Sequence, residues 1–444
     1  MSDNAVSVRD TKRRRVIWIA VLGYVFFKYL ALSYGYLSDY SVFHSWITRG
    51  ATLAPWDFYT GDYSGGAGDW SARMNNSDRF PTDAVIFVLL GKLMSLLPHE
   101  TWAAFSWFSI QITCWIFEIV AILGFYFLLK KIAPSRDPLK LTLFFAFLTP
   151  VLVVANLTYS YEVLDFALML WAAVLFWDRR KTGILVGSIL LGLVMIERPQ
   201  YIFGVLAVMA VLLGKKRYQK GGWKRFFVSG GIITITVTGL SAFFQLGIFW
   251  DGGRGSLLDL LDYNQRLFTS LAASGATIWT WYPGAFRSEY TDVEIFGIPV
   301  MAFFSAVMVI TIISGFFLLR KKELLSSVVL YAALLTQVSF FFAPRMLERY
   351  NALVPILVLL VYAYRPAKRI LLSFILVSVA SCANILTRTA VERFVMYGLF
   401  DPSINQLIST LGPQIVAILN LAFIVSILTN FKIFSRNDAL SEKV

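Results

Sequence analysis

The chain has 444 residues, of which 57% are hydrophobic and 16% aromatic, a composition that excludes an ordinary soluble domain. Its formal charge of +13 would fit a nucleic-acid binder, but the placement of the charge excludes one. Segments 37–100 and 249–295 hold 7 and 6 acidic residues against 4 and 3 basic ones, leaving 40−7=33 basic and 27−13=14 acidic residues elsewhere, largely in short clusters beside apolar runs. That is the asymmetry of a polytopic membrane protein whose basic loops stay in the cytoplasm.

Residues 9–15, RDTKRRR, precede the apolar run 16–36. That run is too long for a cleaved signal core and has no small-residue cleavage site, so it reads as a retained anchor with its N-terminus inside. From the basic clusters about twelve spans are predicted in a single transmembrane domain covering 1–444: 16–36, 101–130, 139–158, 161–178, 182–197, 199–214, 226–248, 296–319, 324–343, 346–364, 370–386 and 408–431. The fold class is therefore all-α, with both termini cytoplasmic and two large extracytoplasmic loops, 37–100 and 249–295. Cys114 and Cys382 both fall inside apolar runs, which argues against a disulfide framework or a thiolate metal site.

Residues 82–97 look like another span, but at about 1.5 Å per residue they reach only about 24 Å, short of a core about 30 Å thick. Crossing there would also invert every later charge cluster. Bounded by Pro81 and Pro98, they predict a helix in the outer interface. Residues 40–53 place Val42, Phe43, Trp46 and Ile47 at helical spacing with Gly50 near the end, a second interfacial helix. A long first loop carrying two such helices suits an enzyme working at the membrane face.

Several charged groups stand where the flanking apolar runs are too short to lift them into water. They are Glu197 and Arg198 at a tight turn, Glu348 and Arg349 in the first turn of the span from Met346 with Arg345 just outside, and Glu162 and Asp165 one helical turn apart. Ionisable groups at such depth line a wet cavity or pair with one another, so an outward-open polar cavity roofed by the first loop is expected. Plainer readings stand beside this one. Glu197-Arg198 and Glu348-Arg349 can be structural pairs or snorkelling side chains, Glu162 and Asp165 can answer a helix N-terminus, and Asp39 can be a helix cap. Trp56, Phe58, Tyr59, Tyr63 and Trp70 read as an interfacial aromatic belt. Lys28 reads as a cavity-facing or snorkelling cation, His44 as a surface residue and His99 as part of a turn.

Four motifs then coincide. An acidic residue, Asp39 in SDYSVFHSW, follows the first span directly; RFPTD, 79–83, precedes the second interfacial helix; LFTSLAASGATIWTWYPG occupies 267–284; and PRMLERY, 344–350, opens a late span. Together they resemble the C-class (GT-C) glycosyltransferases, integral membrane enzymes that use polyprenyl-phosphate sugars, in particular the bacterial mannosyltransferase-like branch related to the enzymes of GPI assembly. Pro81 stands where that family has a YPP-like element, Trp279 keeps the tryptophan of its Asn-Leu-Trp element, and PRMLERY is similar to RMHERY with Leu347 in place of the histidine.

The resemblance implies a GT-C-like fold, a lipid-phosphate donor and catalytic action by Asp39. The expected activity is inverting transfer of a sugar, mannose first, from a polyprenyl phosphate to a lipid-linked glycan or glycolipid on the extracytoplasmic face. Arg345 and Arg349, helped by Arg198 or Arg79, are expected to hold the donor phosphate. Glu162, Asp165, Glu197, Glu348 and Tyr350 are expected to line the substrate site, and Trp279, Trp281 and Tyr282 to stack on sugar faces. No cofactor is implied; a divalent metal among Glu162, Asp165 and Glu197 has no ligand spacing to support it. The rival expectations are a transporter or flippase of lipid-linked saccharides, and an oligosaccharide polymerase or ligase.

Overall fold

The computed structural model describes residues 15, 17–26, 28–29, 40–59, 81–154, 161–213, 221–248, 256–258, 260, 275–283, 288–319, 325–347, 349–387 and 401–436. They form an all-α membrane protein, in which six helices are long and apolar enough to cross a bilayer. The sheet among the described residues is a two-residue antiparallel ladder, Glu294–Ile295 with Ile298–Pro299. Its turn places Phe296 and Gly297 at positive φ.

In chain order the helices are α1 (Ile17–Phe26), α2 (Tyr40–Thr52), α3 (Pro81–Met94), α4 (Trp102–Ile132), α5 (Pro138–Leu148), α6 (Glu162–Asp178), α7 (Lys181–Glu197), α8 (Ile202–Met209), α9 (Gly222–Phe243), α10 (Val300–Leu319), α11 (Leu325–Phe342), α12 (Leu353–Tyr364), α13 (Lys368–Ile385) and α14 (Pro402–Arg436). Seven of the predicted spans, from 101–130 to 408–431, overlap α4, α6, α7, α10, α11, α13 and α14; α4, α10, α11, α13 and α14 are among the six helices long and apolar enough to cross, whereas α6 and α7 have 17 residues each. An eighth, 226–248, corresponds to α9, which stops at Phe243.

Three others are corrected. Thr149 and Pro150 end α5 before the predicted boundary. The stretch 199–214 is broken into a 3-10 turn at Pro199–Tyr201, the short α8, and a second 3-10 turn at Ala210–Leu213. The predicted span 346–364 becomes helical only at Leu353, so Arg349 sits in a turned segment ahead of the helix. Pro355 in the first turn of α12 fits a helix beginning there, since proline is tolerated at a helix start.

Side-chain contacts fix the helix directions. Lys131 pairs with Asp178 at one end of α4 and α6, and higher up Trp171 Nε1 donates to the Val120 carbonyl at 3.0 Å, so the two helices run parallel. α7 returns against α6, with Gly183 beside Leu175 and Gly187 beside the Phe176 ring. α9 then runs parallel to α7, joined by Ser188 and Ser229 hydroxyls at 2.7 Å and by Gly192 against Thr236. One end of the bundle therefore gathers Lys131, Arg179, Arg180, Arg225 and Arg365. The opposite end carries the start of α6, the end of α7 and the pair α2 and α3.

The main core joins α4, α6, α7, α8, α11, α12, α13 and α14. A second cluster lies under the first loop, where Val42, Phe43, Trp46 and Ile47 of α2 pack on Phe87 and Val88 of α3 and on Ile110 and Cys114 of α4. The apolar stripe of α2 thus faces protein. Phe58 and Tyr59 join it, Tyr59 edge-on and Phe58 tilted against Phe244, and belong to this core rather than to a belt; Trp56 is exposed. Tyr63 and Trp70 lie outside the described residues. Cys114 and Cys382 are free thiols.

Candidate active site

Five of the charged residues that seemed misplaced in the sequence, Glu162, Asp165, Glu197, Arg198 and Arg349, meet at the end of the bundle opposite the basic clusters. Pro199 stops α7, because the residue before a proline is driven out of helical conformation. Arg198 accordingly sits at φ −136°, ψ 75°, turning its side chain toward the starts of α3 and α6. Its guanidinium contacts Glu197 at 2.7 Å, Asp83 and Glu162 at 3.7 Å each, and Asp165 at 3.8 Å. From the turn before α12, Arg349 Nε donates to Glu162 Oε1 at 2.8 Å. The backbone N–H of Asp83 donates to Glu197 Oε2 at 3.0 Å, so one carboxylate satisfies an otherwise unpaired donor in the first turn of α3.

The cluster thus brings 4 carboxylates to 2 guanidinium groups, formally −2 if all are ionised. Three of those carboxylates, Asp83, Glu162 and Asp165, stand in first turns of helices, where the macrodipole favours negative charge. Burial differs within the set: the Arg198 side chain is 6% exposed and that of Arg349 is 16%. Arg349 is therefore the less buried of the two, and Arg198 the one enclosed among acids. Among the described residues, no group of three or more His, Cys, Asp or Glu side chains is arranged to hold a metal ion.

A polar clamp holds the Arg349 segment in place. Gly275 N–H donates to the Met346 carbonyl at 2.7 Å, and Trp279 Nε1 donates to the Phe342 carbonyl at 2.9 Å. Ala276 is gripped from both sides, its N–H donating to Asn384 Oδ1 at 2.8 Å and its carbonyl accepting from Asn420 Nδ2 at 3.0 Å. Asn420 Oδ1 in turn accepts from Gln337 Nε2 at 3.0 Å. Residues 275–283 of the second large loop, with side chains from α11, α13 and the middle of α14, thus fix the backbone on which Arg345 and Arg349 stand. Arg345 itself is at φ 61°, a left-handed conformation that costs a non-glycine residue about 1–2 kcal/mol.

Of the predicted site residues, Glu162, Asp165, Glu197, Arg198 and Arg349 are brought together, and Arg345 and Tyr350 lie on the same short segment as Arg349. Leu347 is buried in that segment. Trp279 is 3% exposed and closes the clamp, while Trp281 and Tyr282 are exposed beside it. Asp39, Arg79 and Glu348 lie outside the described residues. Asp39 directly precedes α2, which begins at Tyr40. His44 Nδ1 lies 2.9 Å from the Ser106 hydroxyl, and partial burial together with nearby His99 holds its pKa below the usual value. His99 packs on Trp102.

Two features were missed in the sequence reading. Asp83 had a signal, an acidic residue just inside a helix opened by Pro81. Glu118 had a stronger one: it is the one charged residue between Trp102 and Leu129. It is fully buried and ion-paired with Lys28, whose ammonium also lies over the rings of Tyr24 and Trp115 at 4.8 and 4.9 Å. Lys28 is therefore a paired cation inside an aromatic box and does not snorkel. No protein-family model and no curated protein matches the chain.

Proposed function

We propose that the chain is an inverting glycosyltransferase of GT-C type, moving a sugar, mannose first, from a polyprenyl phosphate to a lipid-linked glycan or glycolipid at the extracytoplasmic face. In this reading the bundle crosses the membrane about twelve times with both termini inside, and α2 and α3 lie along the outer interface above the acidic cluster. The observation that carries the reading is the 2.8 Å bond between Arg349 and Glu162. It joins the PRMLERY segment to the first residue of α6, whose neighbour Tyr161 stacks on Phe43 of α2 and Phe87 of α3.

The chemistry needs little from the protein beyond charge and placement. A phosphate monoester is a competent leaving group once its negative charge is met, and Arg349 with Arg345 supplies fixed positive charge at a partly enclosed site. The acceptor hydroxyl oxygen forms the new bond to the anomeric carbon from the face opposite the phosphate. The carbon–phosphate-oxygen bond breaks with its electron pair on phosphate, and Asp39 takes the hydroxyl proton. Glu162 holds Arg349 in readiness, and Arg198 neutralises enough of the acid cluster for a phosphate to approach. Trp281 and Tyr282, both exposed, stack on a sugar face in this reading.

The buried Lys28–Glu118 pair would also suit a transporter or flippase of lipid-linked saccharides, because paired ionisable groups at depth mark translocation paths as well as enzyme sites. One experiment separates the readings. Purified protein in detergent, with no gradient, is given radiolabelled sugar on a polyprenyl monophosphate or on a diphosphate. The proposal expects a covalent product from the monophosphate with inverted anomeric configuration. No product from either donor supports the transporter, and product from the diphosphate alone supports a polymerase or ligase.

A further inference from the structure

At the basic end of the bundle, five elements stop around one apolar cavity. Ile132 closes α4, Trp177 is the penultimate residue of α6, Val211 lies in the turn after α8, Leu325 opens α11 and Tyr364 closes α12; Ala173 and Ala207 line the cavity one turn deeper. Its volume is about 60 Å³ and one side is open, so it seats part of an apolar chain and not a whole small molecule. One helical turn is four residues, so the apolar wall runs about 6 Å inward from Trp177 to Ala173. Such a wall offers water almost nothing to bond.

The rim is the opposite in character. Lys130 and Lys131 adjoin Ile132, Arg179 and Arg180 follow Trp177 after Asp178, and Arg365 follows Tyr364. Asp178, the acid among them, is paired with Lys131. Partial burial and the facing Arg225 guanidinium depress the Arg179 pKa, a sign that like charges crowd this edge. Trp177 and Tyr364 supply the amphipathic rings that settle at a headgroup boundary.

We propose that this partly open cavity seats the headgroup-proximal part of one acyl chain of an anionic phospholipid whose headgroup rests on the basic rim. A zwitterionic lipid carries no net charge to match the rim, and a small soluble anion leaves the apolar wall unmatched. An anionic phospholipid meets both at once. The site is distinct from the acidic cluster at the other end of the bundle and does not depend on the transfer reaction.

The test uses the full chain, purified and delipidated in detergent, with thermal unfolding followed as dioleoyl phosphatidylglycerol, dioleoyl phosphatidylcholine or glycerol phosphate is added. Phosphatidylglycerol is expected to raise the Tm by several degrees, and the other two to change it little. Ala173→Leu with Ala207→Leu, which fills the cavity, should abolish that rise. Arg179→Gln with Arg365→Gln, which leaves the cavity intact, should reduce it to the phosphatidylcholine level and decides the matter if the filled variant does not fold. No rise, an equal rise with phosphatidylcholine or glycerol phosphate, or an undiminished rise in the rim variant would overturn the proposal.

Discussion

Arg198 faces four carboxylates from three helices, Asp83 on α3, Glu162 and Asp165 on α6, and Glu197 on α7. A lone charge at this depth would be prohibitive, but the guanidinium and acids desolvate together, so their mutual attraction offsets much of the loss of hydration. Removing the central cation leaves acids facing acids. Arg198→Met should therefore cost about 3–5 kcal/mol of stability, read as a lowered thermal midpoint in detergent, and Arg198→Lys should recover part of it. A loss below about 1 kcal/mol, the size expected of a solvent-exposed pair, would mean that the cluster is open to water. Arg349 differs in kind, its side chain being more exposed than that of Arg198, so its replacement should weigh on activity more than on folding.

At the scale of elements, two contacts decide whether the site exists. α2 and α3 cross at Gly50 and Gly91, so closely that a Cβ at Gly91 would stand 2.3 Å from the Ala51 nitrogen; only glycine allows these backbones to touch. Across the molecule, Asn420 holds the Ala276 carbonyl and Gln337 together. Asn420→Leu leaves both groups buried without their partner, at about 1–3 kcal/mol each. The expected result is a lowered thermal midpoint together with a fall in transfer rate, because the clamp fixes the Arg349 segment; an unchanged rate with lowered stability would show that the clamp does not position the site. The sequence shows where most of these elements lie, since apolar length and basic punctuation mark α4, α6, α7, α10, α11, α13 and α14. Where it misleads, local chemistry interrupts a hydrophobic run. Proline and 3-10 turns break the stretch 199–213, and a left-handed Arg345 with the Gly275–Met346 hydrogen bond interrupts the run ahead of Leu353. The convergence of Glu162, Arg198 and Arg349 was legible as charge at improbable depth. Lys28 pairing with Glu118 was not, because pairing across two helices depends on rotation about their axes, which composition does not fix.

Across the whole molecule, charge is segregated by end: arginines and lysines crowd one end of the helices, and the acidic cluster sits at the other. If the basic end is cytoplasmic, a membrane-impermeant maleimide added outside intact cells should label Ser95→Cys, exposed just after α3, and leave Ser135→Cys, exposed between α4 and α5, unlabelled. Cys114 is buried and Cys382 half-buried, which keeps the background low. The reverse pattern would place the acidic cluster in the cytoplasm and remove the extracytoplasmic site. The account as a whole rests on Asp39 and Arg349 serving one lipid-linked sugar from opposite sides. The most direct measurement is single-turnover transfer from a polyprenyl-phosphate mannose by purified wild-type, Asp39→Asn and Arg349→Gln proteins. The account predicts that each variant folds as wild type does, yet loses at least about 100-fold in rate; near wild-type turnover by the correctly folded Asp39→Asn protein would contradict it.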